Sequence, residues 1–256
     1  MRQGRDLLMG AAMAAALCAA SQPGHACGTS DLGQGVVTAI ESERTLVLAD
    51  GRRVRLAGIA FDGGPADRAR AALDGLLRGR HVTLKGDPDP DRYGRLYAFP
   101  IVSGSETPIQ YDVVERGLGA VGGRIDDETC ARAMLAREAQ ARAAGRGIWE
   151  PGGRRVHRSD DEAAILSDKG RLALVEGRVH SVRESGTTIY VNFSRRWSED
   201  FTVTIAKQRQ QDFISAGLPP RSLAGQVVRV RGIVEERAGP WIEAVRPAQF
   251  ERTGIR

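Results

Sequence analysis

The apolar positions of this chain fall into two blocks with different rhythms. In the first block, short β-branched runs alternate with helical periodicity. Residues 35–40 read as a strand. Residues 45–48 and 53–56 read as the arms of a hairpin across Ala49-Asp50-Gly51-Arg52, because an Asp-Gly pair supplies the turn that short strands need. Pro65 opens a helix at its first turn, and Ala69, Ala72, Leu73, Leu76 and Leu77 recur at helical spacing until Gly79 ends it. Residues 81–85 return to strand, 87–91 form a proline-broken acidic loop, and 95–102 continue the sheet. A short helix over 109–118 precedes a longer one over 127–144. Asp127 is its N-cap, and Cys130, Met134, Leu135 and Ala141 lie on its apolar face. Gly145 and Gly147 stop that helix, and Trp149 caps the core.

Residues 151–170 are polar and read as a linker. The second block is almost wholly β, with strand candidates at 172–182, 187–193, 200–205, 226–234 and 240–245, and a short helix over 208–216 between the third and fourth. Five strands with a helix in that place are the outline of an OB-fold. The chain is 256 residues long, enough for two medium domains. The expected fold class is α+β, mainly β: a barrel with attached helices over 27–150, then a second small OB-like β-barrel over 171–256.

The first 26 residues change the compartment. Arg2 and Arg5 precede the apolar run Leu7 to Ala20, which is short for a membrane span and fits an export signal. Gly24-His25-Ala26 suits cleavage before Cys27, and Ala20 offers a second cleavage point. The mature chain then carries no membrane span and is periplasmic or extracellular. Cys18 leaves with the signal, and Cys27 and Cys130 pair in an oxidising compartment. These two cysteines and four scattered histidines suggest no metal site. The net charge of +5 lies in the second block, since residues 171–256 carry +5 while 1–26 and 27–170 cancel. A modest basic excess suits a polyanion partner and equally suits an ordinary soluble basic domain.

Two motifs carry the candidate chemistry. V-R-L-A-G-I places Arg55 on a strand, and D-R-Y-G-R-L places Tyr93 and Arg95 in a later hairpin. With A-R-A-A-L-D-G-L-L-R-G, V-V-E-R-G-L-G and R-E-A-Q-A-R-A-A-G-R-G-I-W in the same order, the stretch from Gly35 to Trp149 resembles the thermonuclease, or staphylococcal-nuclease-like, family. I-Y-V-N-F followed by D-F-T-V resembles C-terminal domains appended to some exported thermonuclease-like proteins. The first resemblance implies an OB-type barrel in which two arginines clamp the scissile phosphate while acidic residues hold Ca²⁺ and orient water. Arg55 and Arg95 match the two arginines, and guanidinium grips phosphate oxygens in pairs. Two surface arginines on strands would look the same.

The acidic half departs from the family. Arg44 stands where the family has its principal acidic ligand, Ala60 where it has a second, and Gly63 where it has the glutamate thought to act as general base. Glu43 and Asp62 are the neighbouring carboxylates. Asp62, in a loop, is the better rescue candidate, because a one-residue offset in a strand turns a side chain to the other face. Tyr93 matches an aromatic that lies beside the nucleotide, or is a plain turn residue. Gly119-Ala120-Val121-Gly122-Gly123 replaces aromatics of the base pocket.

In the second block Arg178, Arg183, Arg195, Arg196, Arg229 and Arg231 accompany Tyr190, Phe193 and Trp197, residue types that hold single strands on OB barrels. Arg229 and Arg231 alternate with valines and are expected on one exposed face; Tyr190 is a further nucleic-acid-binding candidate, and Phe193 fits the core. The leading expectation is an exported protein of this family that binds nucleic acid or another polyanion, with phosphodiesterase activity weak or absent and no cofactor. The first alternative is an active secreted endonuclease cutting DNA or RNA with a shifted site for Ca²⁺ or another divalent metal. The second is an envelope scaffold that binds protein.

Overall fold

A computed structural model describes residues 27–123, 125–195 and 200–254. The expected export signal at 1–26, together with Arg196 and Trp197, lies outside the described residues. The chain is α+β and mainly β. Its first half contains β1 (Ser30–Ser42), β2 (Thr45–Leu48), β3 (Arg53–Leu56), β4 (Ile59–Ala60), α1 (Ala66–Leu77), β5 (His81–Gly86), β6 (Arg95–Val102), α2 (Ile109–Glu115), β7 (Ala120–Val121) and α3 (Glu128–Ala143).

Five of these strands close a barrel in the order β1-β2-β3-β6-β5, with β3 and β6 parallel. Closure depends on β1, which starts earlier than the sequence pattern predicts. It pairs with both β2 and β5, and register shifts let it bend from one to the other. The hairpin between β2 and β3 forms as expected: Gly51 has φ +84°, and Asp50 accepts the Arg52 N–H at 3.0 Å. Val37, Leu46, Leu48, Val54, Leu56 and Leu84 fill the barrel, and α1 closes one end with Ala69, Leu73 and Leu77. The spacing of four between those α1 residues keeps them on one face.

Cys27 and Cys130 form a disulfide that ties the start of the described chain to α3. Both cysteines are fully buried. Asp127 caps α3 by accepting the Cys130 N–H at 2.6 Å. Trp149 is buried with Ala120, Ala141 and Ile148.

The second half holds β8 (Val156–Arg158), α4 (Glu162–Leu166), β9 (Leu172–Arg178), β10 (Ser181–Ser185), β11 (Thr188–Asn192), β12 (Thr202–Ala206), α5 (Gln210–Ser215), β13 (Val227–Glu236), β14 (Pro240–Glu243) and β15 (Phe250–Arg252). The single strand expected over 172–182 is two. β9 pairs with β13 and β10 pairs with β11, the switch falling at Val179 and His180, whose N–H groups bond Gln226 and Asn192 respectively. With β9 and β10 taken as one bent strand, the order β10-β11-β12-β14-β13-β9 repeats that of the first barrel. The parallel pair recurs as well, as β12 with β14. Ile189, Val191, Phe201, Val203, Ile205 and Phe213 anchor this core, and Phe193 joins it.

The stretch 151–170 is not a bare linker. β8 adds to the sheet beside β9, and α4 buries Ile165 completely. Asp161 caps α4, and His157 pairs with Asp168 at 2.8 Å. An edge strand with one half-buried face shows little apolar alternation, so its sequence passes for a linker.

The two halves meet on a buried ion pair. Val228 and Val230 point into the second core, so Arg229 and Arg231 share the opposite face of β13, as the alternation predicts. That face is covered by α3 instead of exposed. Arg231 is 3% exposed and Glu138 of α3 is 0% exposed. They join through two bonds, at 3.0 and 2.9 Å, and Arg231 also reaches Glu251 at 2.5 Å and the Val121 carbonyl at 2.9 Å. Arg229 is held by Glu176 at 2.5 Å. The expectation that Arg229 and Arg231 offer charge to nucleic acid is therefore corrected: their charge is spent inside the protein. Arg246 with Asp126, and Arg132 with the Ala216 carbonyl, add contacts at the rim of this junction.

Burial alone would raise the Glu138 carboxyl. Arg231, the Val121 N–H and Arg142 outweigh it and hold the group below its ordinary 4.5. A carboxyl depressed in the folded state stabilises above its unfolded value, and that contribution is lost as pH falls through the folded value. Stability is thus expected to decline below pH 4.5, and less steeply in Glu138→Gln, as urea titrations across acid pH would read. At neutral pH, Arg231→Ala is expected to remove about 3–5 kcal/mol by stranding the carboxylate. Reducing the disulfide should lower unfolding free energy by roughly 2–5 kcal/mol, measured by urea unfolding of Cys130→Ser.

Candidate nucleic-acid interface

The parallel pairing of β3 with β6 puts Arg53 opposite Arg95 and Arg55 opposite Tyr97. Val54 and Leu56 point into the barrel, so the two arginine motifs share one outer face. Arg55 lies over the Tyr97 ring, 5.4 Å from its centre, and no carboxylate pairs with it among the described residues. Arg53 is neutralised by Glu41, whose oxygens lie 2.7 and 2.6 Å from the same nitrogen.

Arg95 is held by Asp91. Its Nε and Nη2 lie 2.9 and 2.8 Å from one carboxylate oxygen, while the other accepts the N–H groups of Tyr93 and Arg95. The Arg95 guanidinium, with those N–H groups, holds the Asp91 carboxyl at about 2. Asp91 thus orders the turn and orients Arg95 at once. Tyr93 projects from this turn, 59% exposed, with Arg92 at 4.9 Å and Arg95 at 5.0 Å from its ring centre. Arg92 has no carboxylate partner among the described residues. The face thus presents two aromatic rings, Tyr93 and Tyr97, and a set of guanidiniums, of which Arg55 and Arg92 have no carboxylate partner among the described residues.

The positions where the resemblance expects acidic residues have separate surroundings. Glu43 and Arg44 form the two-residue turn between Ser42 and Thr45, and pair with each other at 2.8 Å. Glu43 is therefore in a turn, not a strand, and is engaged by the neighbouring cation. The Arg44 carbonyl accepts the Leu56 N–H at 2.9 Å, which sets this guanidinium-bearing turn beside the Arg55 strand.

Ala60 and Gly63 lie under the second half of the chain. Ala60 packs into a cluster with Leu172, the first residue of β9. A Cβ on Gly122 would lie 3.1 Å from the Ala60 Cβ and 3.0 Å from Leu172 Cδ2, so there is no slack at this contact. A Cβ on Gly63 would lie 2.7 Å from Arg154 Nε. Arg154 binds the carbonyls of Asp62 at 2.7 Å and Leu172 at 2.6 Å. The Asp62 carboxylate accepts the Leu172 N–H at 2.8 Å, and Arg154 lies 3.7 Å from its other oxygen. Asp62 is thereby corrected from a rescue carboxylate to a strut between the two halves.

These residues do not fit the Ca²⁺ that the resemblance implies. One position is a cation, one is packed against leucine, one is filled by an arginine, and Asp62 is bonded elsewhere. Among the described residues no group of three or more His, Cys, Asp or Glu is arranged to hold a metal ion. Sequence reasoning missed Arg154 and Leu172, and the only available signal was that positions 60 and 63 had become the two smallest residue types together.

In the sheet of the second half, Tyr190 is half-buried and meets Trp241 edge-on at 6.0 Å, with Arg237 4.9 Å from the Trp241 ring. Arg183, exposed, is the register partner of Tyr190. This face is separate from the arginine face of the first barrel, and Trp241 was not anticipated.

Restoring both acidic side chains, as Ala60→Asp with Gly63→Glu, is expected to destabilise by about 1–3 kcal/mol through overpacking and buried charge. Thermal unfolding with and without CaCl₂ checks this. A Ca²⁺-dependent rise in Tm would show that the ligand geometry survives beneath the second half.

Residues 65–151 match the family model described as staphylococcal nuclease homologue. No curated protein matches the chain. The matched segment begins at Pro65, beyond Arg44, Ala60 and Gly63, and contains α1, β5, the Tyr93–Arg95 turn and α3. The match shows a domain of the staphylococcal nuclease homologue family over residues 65–151, with β1 to β4 lying before it.

Proposed function

We propose that this protein is exported and binds nucleic acid or another polyanion through the Arg55, Arg92, Tyr93 and Arg95 face, with phosphodiester hydrolysis weak or absent. The observation that carries the reading is the contrast between the two halves of the site. The guanidinium face is exposed at Arg92 and Tyr93 and half-buried at Arg55 and Arg95, and it keeps two cations without carboxylate partners among the described residues. The acidic positions are replaced, and two of them are covered by Leu172 and Arg154. Unpaired arginines on a strand gain from phosphate by charge-assisted bonds and counterion release. An exposed tyrosine beside them suits base stacking, which tolerates any sequence.

The buried Cys27–Cys130 disulfide supports an oxidising compartment. No helix among the described residues is long and apolar enough to cross a membrane.

Single-stranded oligonucleotide binding is expected to weaken severalfold in Arg55→Ala, with the slope of log K against log salt falling by about 0.7 for the lost contact. Tyr93→Ala should weaken binding while leaving the salt slope unchanged. Plasmid nicking should not depend on Ca²⁺, Mg²⁺ or Mn²⁺. Metal-dependent nicking that disappears in Arg95→Ala would establish the endonuclease instead, and absence of oligonucleotide binding at low salt would return the scaffold.

A further inference from the structure

The outer face of β13 carries Arg229, Arg231, Ile233 and Glu235 in alternation. The first half covers the two arginines and stops short of Ile233. That residue is left 53% exposed, although it is apolar and its neighbours on the face are charged. Beside it lies a recess of about 250 Å³ between the two halves. Val121, Ile125 and Ala131 line it from the first half, and Leu172, Ile233 and Ala248 from the second. An apolar cavity of about 150 Å³ holds benzene, so this one has room for a fused ring. Apolar walls in a partly enclosed recess favour an occupant that brings apolar surface with it.

The charges around the recess say what else that occupant carries. Arg231 is paired with Glu138 and Glu251, Arg246 with Asp126, and Glu235 with Arg237. Glu243 also lines the recess. It follows Ile242 on β14, the register partner of Val234, and so stands close to Ile233. Glu243 is exposed and has no cation partner among the described residues. A group buried against Ile233 therefore meets one unmatched carboxylate at the entrance.

We infer that this recess binds a small organic cation, an amine that carries one apolar ring system. The ring lies against Ile125 and Ile233, and the amine faces Glu243. A neutral ring fills the same space and leaves Glu243 unmatched, while an organic anion is repelled by it. The two halves form the site jointly. It involves neither Arg55 nor Arg95 and does not rest on the proposed binding of nucleic acid.

Calorimetric titration of the full chain with tryptamine, indole and indole-3-acetate tests this. Tryptamine is expected to bind about fivefold more tightly than indole, the scale of one solvent-exposed ion pair, with indole-3-acetate weakest. Glu243→Gln should bring tryptamine to the level of indole. Ala248→Leu fills the recess and should abolish binding of every probe. Ile233→Ser should weaken all of them severalfold. Ile233 is exposed, so its substitution leaves the fold intact, and unchanged urea unfolding would verify that. Arg55→Ala should change nothing, which separates this site from the arginine face. Absence of binding by both indole and tryptamine overturns the inference, as does binding that survives Ala248→Leu and Ile233→Ser alike. Equal binding of tryptamine and indole-3-acetate, or a preference for tryptamine retained in Glu243→Gln, overturns it as well.

Discussion

Arg231 and Glu138 are the buried centre of an ion network in which Arg142 also pairs with Glu138 and Glu251 with Arg231. Both central residues are buried beyond the reach of water, and an isolated charge in either place would be expelled or neutralised. The pair therefore makes α3 of the first barrel and β13 of the second conditions for one another. Its influence extends through the backbone. Glu138 also accepts the Val121 N–H at 2.5 Å, and Val121 belongs to β7, which pairs with β4 and so with Ala60. The contact that seats the second half on α3 is thus continuous with the ribbon on which Leu172 rests.

That continuity bears on why positions 60 and 63 are small and uncharged. Docking needs small, uncharged positions at 60 and 63, because Leu172 and Arg154 fill the space there. A carboxylate at either place would meet an apolar packing surface or a clash before it met a metal. The outer face of β3 and β6 lies outside the footprint, so nothing in the docking disturbs its arginines.

Much of the fold is written locally and could be read. The Asp-Gly hairpin, the α1 spacing and the Asp127 cap depend on neighbours in sequence, and all three form. What could not be read depends on what covers a surface. The alternation of Arg229 and Arg231 with Val228 and Val230 states which residues share a face, and it does so correctly. It cannot state that α3 lies on that face, because Glu138, 93 residues away in sequence, looks like any solvent-facing glutamate of a helix. β8 was hidden for a related reason: its burial comes from β9, not from its own composition. Arg154 had no local signal at all, since its role rests on the carbonyls of Asp62 and Leu172.

The ion pair between Arg95 and Asp91 bears on whether the arginine face can act. A paired arginine might be thought unavailable to phosphate, but the geometry argues otherwise. Asp91 does not depend on Arg95 for its place, because its second oxygen is fixed by the N–H groups of Tyr93 and of Arg95's own backbone. The bonds from the Arg95 guanidinium run to one oxygen only, through Nε and Nη2, leaving the Nη1 edge outside that grip. A phosphate can approach that edge while the carboxylate stays where the turn holds it. Pairing of this kind restricts the side chain before a ligand arrives, so less rotamer freedom is lost on binding than for an unrestrained arginine. Asp91 is on this view part of what orients the face, and the exposed Tyr93 between Arg92 and Arg95 is oriented by the same turn.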